Sequence, residues 1–338
     1  MTDIKIDTSV KGLSSESAEL ASQAEDFGFD GVFTPETDED PFLPLPLIAE
    51  RTEDINIGTR IATAFTRSPM VMAYMAWDLQ RFSDGQMILG LGTQVKGHNE
   101  RRFSVDFDWE KPGPRLREEV LALRHIFDVF QGNEDELDFD GDFYQFSLMT
   151  EEFNPGPLES GPPKIWVAGV NEYMLKMAGD VADGLCMHAF NTPKYTEEVI
   201  KPLIETGAEI GDRDPNNVTL SASPFLITGE TEDEREAMRQ EAKQRIAFYG
   251  STRTYHDVLE IHGWKDIGME LHELSKDGQW EEMTELVTAD MVDAFAIEAP
   301  PDELADEILD KYGGIADRIQ LAFDGSEYWN EVLMELKS

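Results

Sequence analysis

The chain alternates short apolar runs with amphipathic segments along most of its length. Helical spacing is clearest over 114–131, where Leu116, Val120 and Leu123 lie four and three residues apart and Gly132 closes the pattern. Eight short apolar runs predict strands. These are 4–8, 32–34, 55–63, 87–91, 164–168, 184–187, a run within 218–227, and 318–323.

Eight strand–helix units are the number that closes a (β/α)8 TIM barrel. A doubly wound open sheet is the main alternative, because it alternates strands and helices in the same way. No linker of disordered composition divides the chain. We therefore expect an α/β fold, a single (β/α)8 barrel domain over 1–338 with insertions at about 92–113, 132–163 and 251–300.

The net charge of the chain limits the kinds of partner that it can bind. Asp and Glu number 69 against 28 Lys and Arg, which gives a formal net charge of -41. Such a surface repels nucleic acid and anionic membranes, so we expect neither as a partner. The 19 Phe argue against acidic disorder. Because molar salt would screen this self-repulsion, we expect a halophilic protein.

Several common features are missing from the sequence. Cys186 is the single cysteine, so no intrachain disulfide can form. The chain starts without an apolar leader, and no stretch of about 18 residues is apolar throughout. The six histidines lack the spacing of a zinc site, so we predict no metal. We expect a cytoplasmic protein.

In a barrel, chemistry takes place at the carboxyl ends of the strands. Asp7 follows Ile4 and Ile6 in the first strand, and the alternation predicts a polar side chain near the barrel mouth. A half-buried carboxylate there could move a proton, or it could form an ion pair with an arginine such as Arg60. The sequence does not favour either role of Asp7 over the other.

Two glycine patterns in the sequence resemble phosphate sites. The segment 89–95 resembles a dinucleotide fingerprint, but Val95 stands where the third glycine belongs, which argues against a nicotinamide site. The segment 168–171 leads into a helix, whose first N–H groups could bind phosphate. An ordinary strand-to-helix turn has the same pattern.

Five segments together resemble one family. They are 27–33 (FGFDGVF), 67–70 (RSPM), 90–93 (GLGT), 168–169 (AG) and 182–184 (ADG). Their order and spacing resemble the bacterial-luciferase-like monooxygenase superfamily, in particular its branch that uses coenzyme F-420, an 8-hydroxy-5-deazaflavin. The resemblance implies a (β/α)8 barrel with a non-prolyl cis peptide in the third strand, between Arg60 and Ile61.

The resemblance also implies a cofactor site at the strand ends. The third strand would place a bulge behind the cofactor ring. The loop after the fourth strand would contact the ring and the side chain of the cofactor, and the loop after the fifth strand would hold the cofactor's phosphate. The implied cofactor-binding residues are Arg60, Ile61, Thr63, Thr93, Gln94, Lys96, Asn99, Gly169, Val170 and Asn171. The cofactor is F-420, with FMN as the alternative.

The sequence departs from the family at the catalytic positions. The dehydrogenase branch has an Asp-His pair after the second strand, whereas this chain has Glu36 and Thr37. Asp7 lies where the methylene-pterin reductase carries a glutamate proposed as a proton relay. We therefore expect Asp7, Glu36 and Thr37 to be the catalytic residues.

The expected activity is hydride transfer between C5 of coenzyme F-420 and a small organic substrate, as in methylene-tetrahydropterin reductase. An FMN-dependent luciferase-like monooxygenase and a non-catalytic flavin-binding protein are the alternatives. A homodimer is left open.

Overall fold

The computed structural model describes residues 4–106 and 109–338. Eight parallel strands form its centre, and both edges of the sheet pair with each other, so the sheet is closed and the open-sheet alternative is excluded. The (β/α)8 barrel is confirmed. The strands are β1 (Lys5–Ser9), β2 (Gly31–Thr34), β3 (Asn56–Thr59, continued by Ala62–Thr63), β4 (Met87–Gly92), β5 (Lys164–Ala168), β6 (Gly184–Cys186), β7 (Thr219–Ala222) and β8 (Arg318–Gln320).

Helices cover the outside of the barrel. Gly28, with φ of 101°, ends the first helix in a left-handed conformation that glycine adopts without strain. The α-helices are α1 (Ser15–Phe27), α2 (Leu45–Ala49), α3 (Pro69–Phe82), α4 (Lys96–Arg101), α5 (Pro112–Gln131), α6 (Glu172–Val181), α7 (Pro193–Tyr195), α8 (Lys201–Ile210), α9 (Glu232–Gly250), α10 (His256–Glu260), α11 (Lys265–Lys276), α12 (Trp280–Glu285), α13 (Ala289–Phe295), α14 (Leu304–Tyr312) and α15 (Tyr328–Leu336).

Alternation along the strands divides the apolar residues into two sets. Outward residues such as Ile6, Ile57 and Leu89 pack against the helices in the main core. A smaller cluster of Phe33, Ile88, Trp166 and Cys186 fills the barrel interior. The rings of Phe33 and Trp166 stack with their centroids 5.6 Å apart.

The third strand is interrupted where the family resemblance placed a bulge. The Arg60–Ile61 peptide is cis, as expected. The neighbouring backbones come very close here, since a Cβ on Gly58 would lie 2.2 Å from the carbonyl oxygen of Ile88. Glycine is therefore required beside the interruption.

The structure corrects several predicted boundaries. The insertion at 92–113 contains the short helix α4, and α5 starts at Pro112 rather than 114. The run within 218–227 holds two strands, because Phe225–Ile227 leaves the barrel and pairs in parallel with Ala296–Glu298. The second of these strands was missed because its apolar residues continue the pattern of the helix before it.

Other connections agree with the pattern. Phe139–Asp140 and Gln145–Phe146 form a small hairpin in the insertion at 132–163. A π-helical turn, Thr196–Ile200, lies between α7 and α8. Throughout residues 4–106 and 109–338, each helix is too short or too polar to cross a membrane.

Candidate active site at the carboxyl end of the barrel

The predicted cofactor residues lie on neighbouring strand ends. Thr63 pairs with Gly92 and Leu91 pairs with Val167, so the ends of β3, β4 and β5 are adjacent. The pairing of Thr34 with Thr59 places the end of β2 beside them. We call the loops that follow β2 to β7 the mouth. The fold thus brings four predicted segments into one arc.

Glu36 joins two strands at the mouth. Its Oε2 accepts the backbone N–H of Thr63 at 2.6 Å, and Arg67 Nη1 lies 3.2 Å from both carboxylate oxygens. Arg67 also donates to Asp40 at 2.7 Å. Burial opposes the charge of Arg67, but the two carboxylates outweigh it and raise the pKa of the guanidinium. Glu36 therefore fixes the position of the β3 end.

Arg60 crosses the mouth from β3 to β7. Its guanidinium donates to Ser221 Oγ at 2.5 Å, to the Ser221 carbonyl at 3.0 Å and to Ser223 Oγ at 2.7 Å. The charged group lies 6.0 Å from the centre of the Phe33 ring. The donors of Arg60 are thus used within the protein, and the side chain covers the apolar interior cluster.

The other third-strand residues form a wall. Ile61 packs against Gly92, where a Cβ would lie 2.8 Å from Ile61 Cδ1. Thr63 is fully buried, and its Oγ1 has no hydrogen-bond partner among the described residues. A buried polar atom without a partner is costly, so this hydroxyl is available to a ligand.

The loop after β4 is folded around Asn99. The side-chain amide of Asn99 donates to the carbonyls of Thr93 and Val95, at 2.9 and 3.2 Å. Its Oδ1 is buried and has no partner in the described chain. Gln94 has a positive φ of 54° in the same turn. Asn99 therefore shapes the loop and leaves one acceptor unused.

The remaining predicted cofactor residues are more exposed. Lys96 begins α4, with its Nζ 3.6 Å from Glu100. Gly169 and Val170 are half-buried, and Asn171 is exposed. Asn171 Oδ1 accepts the N–H of Met174 at 3.0 Å, so this side chain caps α6. The phosphate contact expected of these three residues stays a prediction.

Thr37 lies on the exposed side of its loop. Its hydroxyl donates to Asp38 at 2.6 Å, and its carbonyl accepts from Arg102. No substrate-facing role follows from this position, and its catalytic role stays a prediction.

Asp7 is not at the mouth, and this predicted position is wrong. It lies in the middle of β1 and is fully buried in the barrel interior, with Arg318 Nε 2.8 Å from Oδ2 and Arg318 Nη2 2.5 Å from Oδ1. Burial raises the pKa of Asp7, and the Arg318 guanidinium opposes this rise. Of the two roles left open by the sequence, the geometry favours the ion pair, with Arg318 in place of Arg60.

Comparison with known proteins agrees with the barrel fold. The model of the luciferase-like monooxygenase family matches residues 5–318. The chain belongs to this family. It is a luciferase-like oxidoreductase with an α/β barrel fold.

Three relatives illustrate the range of the luciferase-like family around this chain. An uncharacterized protein of Mycobacterium tuberculosis is 42% identical over 94% of this chain and 92% of its own length. A 5,10-methylenetetrahydromethanopterin reductase of Methanolobus tindarius is 30% identical, covering 85% of this chain and 83% of the reductase. The solved coenzyme F-420-dependent tetrahydromethanopterin reductase from Methanopyrus kandleri superposes with a TM-score of 0.77 at 21% identity, over 99% of this chain and 97% of that one. This structural similarity shows that the two proteins share a fold.

One group at the mouth was not among the predicted site residues. His188 follows β6, and its Nδ1 accepts the N–H of Phe190 at 3.0 Å. Its Nε2 therefore carries the proton and faces the Tyr255 hydroxyl at 3.3 Å, while the two rings stack 4.6 Å apart. Burial lowers the pKa of His188 to about 4. One signal in the sequence pointed to His188, its position directly after a predicted strand. Its partner Tyr255 lies in an irregular insertion, so the contact between them could not be predicted.

Charge at the mouth differs from the rest of this luciferase-like protein. Residues 96–117 contain six Lys or Arg and four Asp or Glu, which leaves 22 and 65 for the remainder of the chain. This segment includes α4 and the first turns of α5. An excess of positive charge therefore follows β4 in a strongly acidic protein.

Proposed function

We propose that the protein is a coenzyme F-420-dependent oxidoreductase that transfers a hydride between C5 of the deazaflavin and a small organic substrate. A reduced pterin of the methylene-tetrahydropterin kind is the proposed substrate class. The positive segment at 96–117 carries the proposal, because the coenzyme is polyanionic and the rest of the surface repels anions. The similarity to the 5,10-methylenetetrahydromethanopterin reductase of Methanolobus tindarius supports the substrate class.

The mouth fits a planar, polar-edged ring. Ile61 supplies an apolar wall, and its side chain packs so closely on β4 that a Cβ on Gly92 would clash with it. Thr63 Oγ1 and Asn99 Oδ1 are buried polar atoms without partners, and both could take part in hydrogen bonds to such a ring. When bound, the coenzyme supplies the hydride, and the protein supplies position and electrostatics.

The polar network prepares this surface before a ligand arrives. Glu36 holds the backbone of Thr63, and Arg67 holds Glu36. Arg60 ties the third strand to the seventh through two serines. These contacts keep the wall fixed, so that little ordering is needed on binding.

The proton that accompanies the reaction needs a donor at the mouth. Both oxygens of Asp7 are bound by Arg318 in the interior. We therefore assign the donor to the Tyr255 hydroxyl, with the Nε2–H of His188 orienting its oxygen at 3.3 Å. Burial raises the pKa of Tyr255, which keeps this hydroxyl protonated.

The test is an anaerobic assay in molar KCl. Reduced coenzyme F-420 is mixed with methylene-tetrahydropterins, aldehydes and enones in turn, and its reoxidation is followed by absorbance. We expect turnover with a pterin acceptor. Tyr255→Phe should reduce kcat by about 10²–10⁴-fold with little change in coenzyme affinity.

Asp7→Asn separates the two assignments of the proton donor. We expect a folded Asp7→Asn protein to keep kcat within about tenfold of the parent. A loss as large as that of Tyr255→Phe would restore Asp7 as the proton relay. Binding of F-420 without turnover on any acceptor would favour a non-catalytic flavin-binding protein. Oxygen-dependent turnover with reduced FMN alone would favour a monooxygenase.

A further inference from the structure

The amino-terminal end of the barrel, opposite the mouth, contains a second cavity. It has a volume of about 410 Å³ and lies between the first residues of several strands. The residues that matter for its chemistry are Lys5, Lys164, Trp166, Asp317 and Arg318. Neither the proposed reaction nor the family comparison uses this end of the molecule.

Two lysines in this cavity lack carboxylate partners. Lys5 begins β1 and Lys164 begins β5, and no Asp or Glu oxygen of the described residues lies within 4 Å of either ammonium group. In a chain with 69 acidic and 28 basic side chains, most cations can find an anion nearby. Two unpaired lysines in one cavity therefore point to an anion from outside the protein.

Arg318 forms a fixed wall of the cavity. Its Nε and Nη2 bind Asp7, and its Nη1 donates to Asn56 Oδ1 at 3.1 Å. The guanidinium carbon lies 5.7 Å from the centre of the Trp166 ring. Because Asp7 balances the charge of Arg318, the two lysines carry the positive charge of the cavity that is without a partner within the described ranges.

A buried donor gives a second, independent indication. Trp166 is 1% exposed, and its Nε1–H has no acceptor among the described residues. The Nε1 atom would lie 2.6 Å from a Cβ placed on Gly184 at the start of β6. Trp166 thus offers an unused buried donor in the wall of this cavity, as a site for an anion requires.

The acidic residue of the cavity is already engaged. Asp317 Oδ2 accepts the backbone N–H of Leu220 at 2.7 Å, and the Asp317 carbonyl accepts the N–H of Lys5 at 3.0 Å. Asp317 therefore holds β1, β7 and β8 in register. Its charge leaves the cavity with an excess of cations over carboxylates.

We propose that this cavity binds a multivalent oxyanion, a phosphate or sulfate group, between Lys5 and Lys164 and beside the Nε1–H of Trp166. Two lysines attract a divalent oxyanion more strongly than a halide, because the Coulomb energy scales with the charge of the ligand. Three or four oxygens also accept from several donors at once. The bound anion links the starts of β1 and β5 and stabilises the barrel.

The test compares thermal unfolding of the full chain in potassium phosphate, potassium sulfate and potassium chloride at one ionic strength. General salt effects act on every variant alike. The double variant Lys5→Gln/Lys164→Gln removes the site, and Lys243→Gln on α9 serves as the matched control, since Lys243 also has no carboxylate within 4 Å in the described chain. We expect phosphate and sulfate to raise Tm by about 2–5 °C more in the parent and in Lys243→Gln than in the double variant.

Direct titration covers the case in which the double variant does not fold. Calorimetric titration of the parent with inorganic phosphate in potassium acetate should give saturable binding, and sulfate should compete for it. Lys164→Gln should weaken this binding about tenfold or more. Equal Tm increments in all variants, no saturable heat, or a chloride effect as large as that of phosphate would each overturn the proposal.

Discussion

The two ends of the barrel have opposite hydrogen-bonding character. At the mouth, the buried side chains of Thr63 and Asn99 have oxygens without partners among the described residues, while Arg67 is paired with Glu36 and Asp40. At the amino-terminal end, Lys5, Lys164 and Trp166 carry donors that have no side-chain acceptor in the part of the chain that the structure describes. The mouth is thus prepared for a ring with polar edges, and the opposite end for an anion.

The apolar cluster in the barrel separates these two environments. Phe33, Ile88, Trp166 and Cys186 lie between the Asp7–Arg318 pair and the mouth. This division matches the general behaviour of TIM barrels, in which chemistry belongs to the carboxyl end and stability to the amino end. Variants at the two ends should therefore affect different properties.

The largest expected effect is at the interior ion pair. Arg318→Met leaves Asp7 buried without its partner, and we expect a loss of about 3–5 kcal/mol in the free energy of unfolding. Denaturant unfolding in molar KCl measures it. Arg245→Met, which removes an exposed i,i+4 pair with Glu241, should cost less than about 1 kcal/mol. A loss below 1 kcal/mol in Arg318→Met would mean that the pair does not hold the barrel together.

The next effect concerns ligand binding at the mouth. Glu36→Gln removes the charge that Arg67 and the Thr63 N–H recognise, so the β3 end is held less firmly. We expect coenzyme F-420 to bind about 10–100-fold more weakly, the equivalent of about 1.5–3 kcal/mol for a hydrogen bond to a charged group. The exposed carboxylate variant Asp38→Asn is the control and should bind normally. Unchanged affinity in a folded Glu36→Gln protein would remove Glu36 from the site.

A smaller effect follows from the buried histidine. The folded pKa of His188 is about 4, against an ordinary value of 6.5, so the unfolded chain takes up a proton between these values that the folded chain does not. The contribution of His188 to the free energy of unfolding should therefore be fully present above pH 6.5. It should be lost as the pH decreases towards 4, by at most about 3 kcal/mol.

The His188→Asn variant tests this origin. It should reduce the dependence of unfolding free energy on pH between 4 and 6.5, leaving the part due to His256 and His262, whose pKa values burial also lowers. If His188→Asn keeps the slope of the parent, other groups cause it.

The sequence predicted local features well. Alternation located all eight barrel strands, and the family resemblance located the cis peptide at Arg60–Ile61. It could not predict the partner of Asp7, because Arg318 lies 311 residues away and becomes its neighbour only when β1 and β8 close the barrel. The Tyr255 contact of His188 depends in the same way on the packing of an insertion.

Added salt should affect variants at the two ends of the barrel almost equally, since it screens the whole acidic surface. With a net charge of -41, the fold and the approach of an anionic coenzyme both benefit from screening. Unfolding midpoints should rise from low to molar KCl in the parent and in every variant described above. A midpoint that falls over this range would contradict the expected adaptation to high salt.

The most direct test of the account is an equilibrium titration of the parent with oxidised coenzyme F-420 and with FMN, at low and at molar KCl. Arg101→Gln, in the positive segment at 96–117, serves as the matched variant. We predict that F-420 binds more tightly than FMN, that its affinity improves as salt approaches the molar range, and that Arg101→Gln weakens it. Binding of FMN alone, or an F-420 affinity that falls steadily with added salt, would contradict the proposed function.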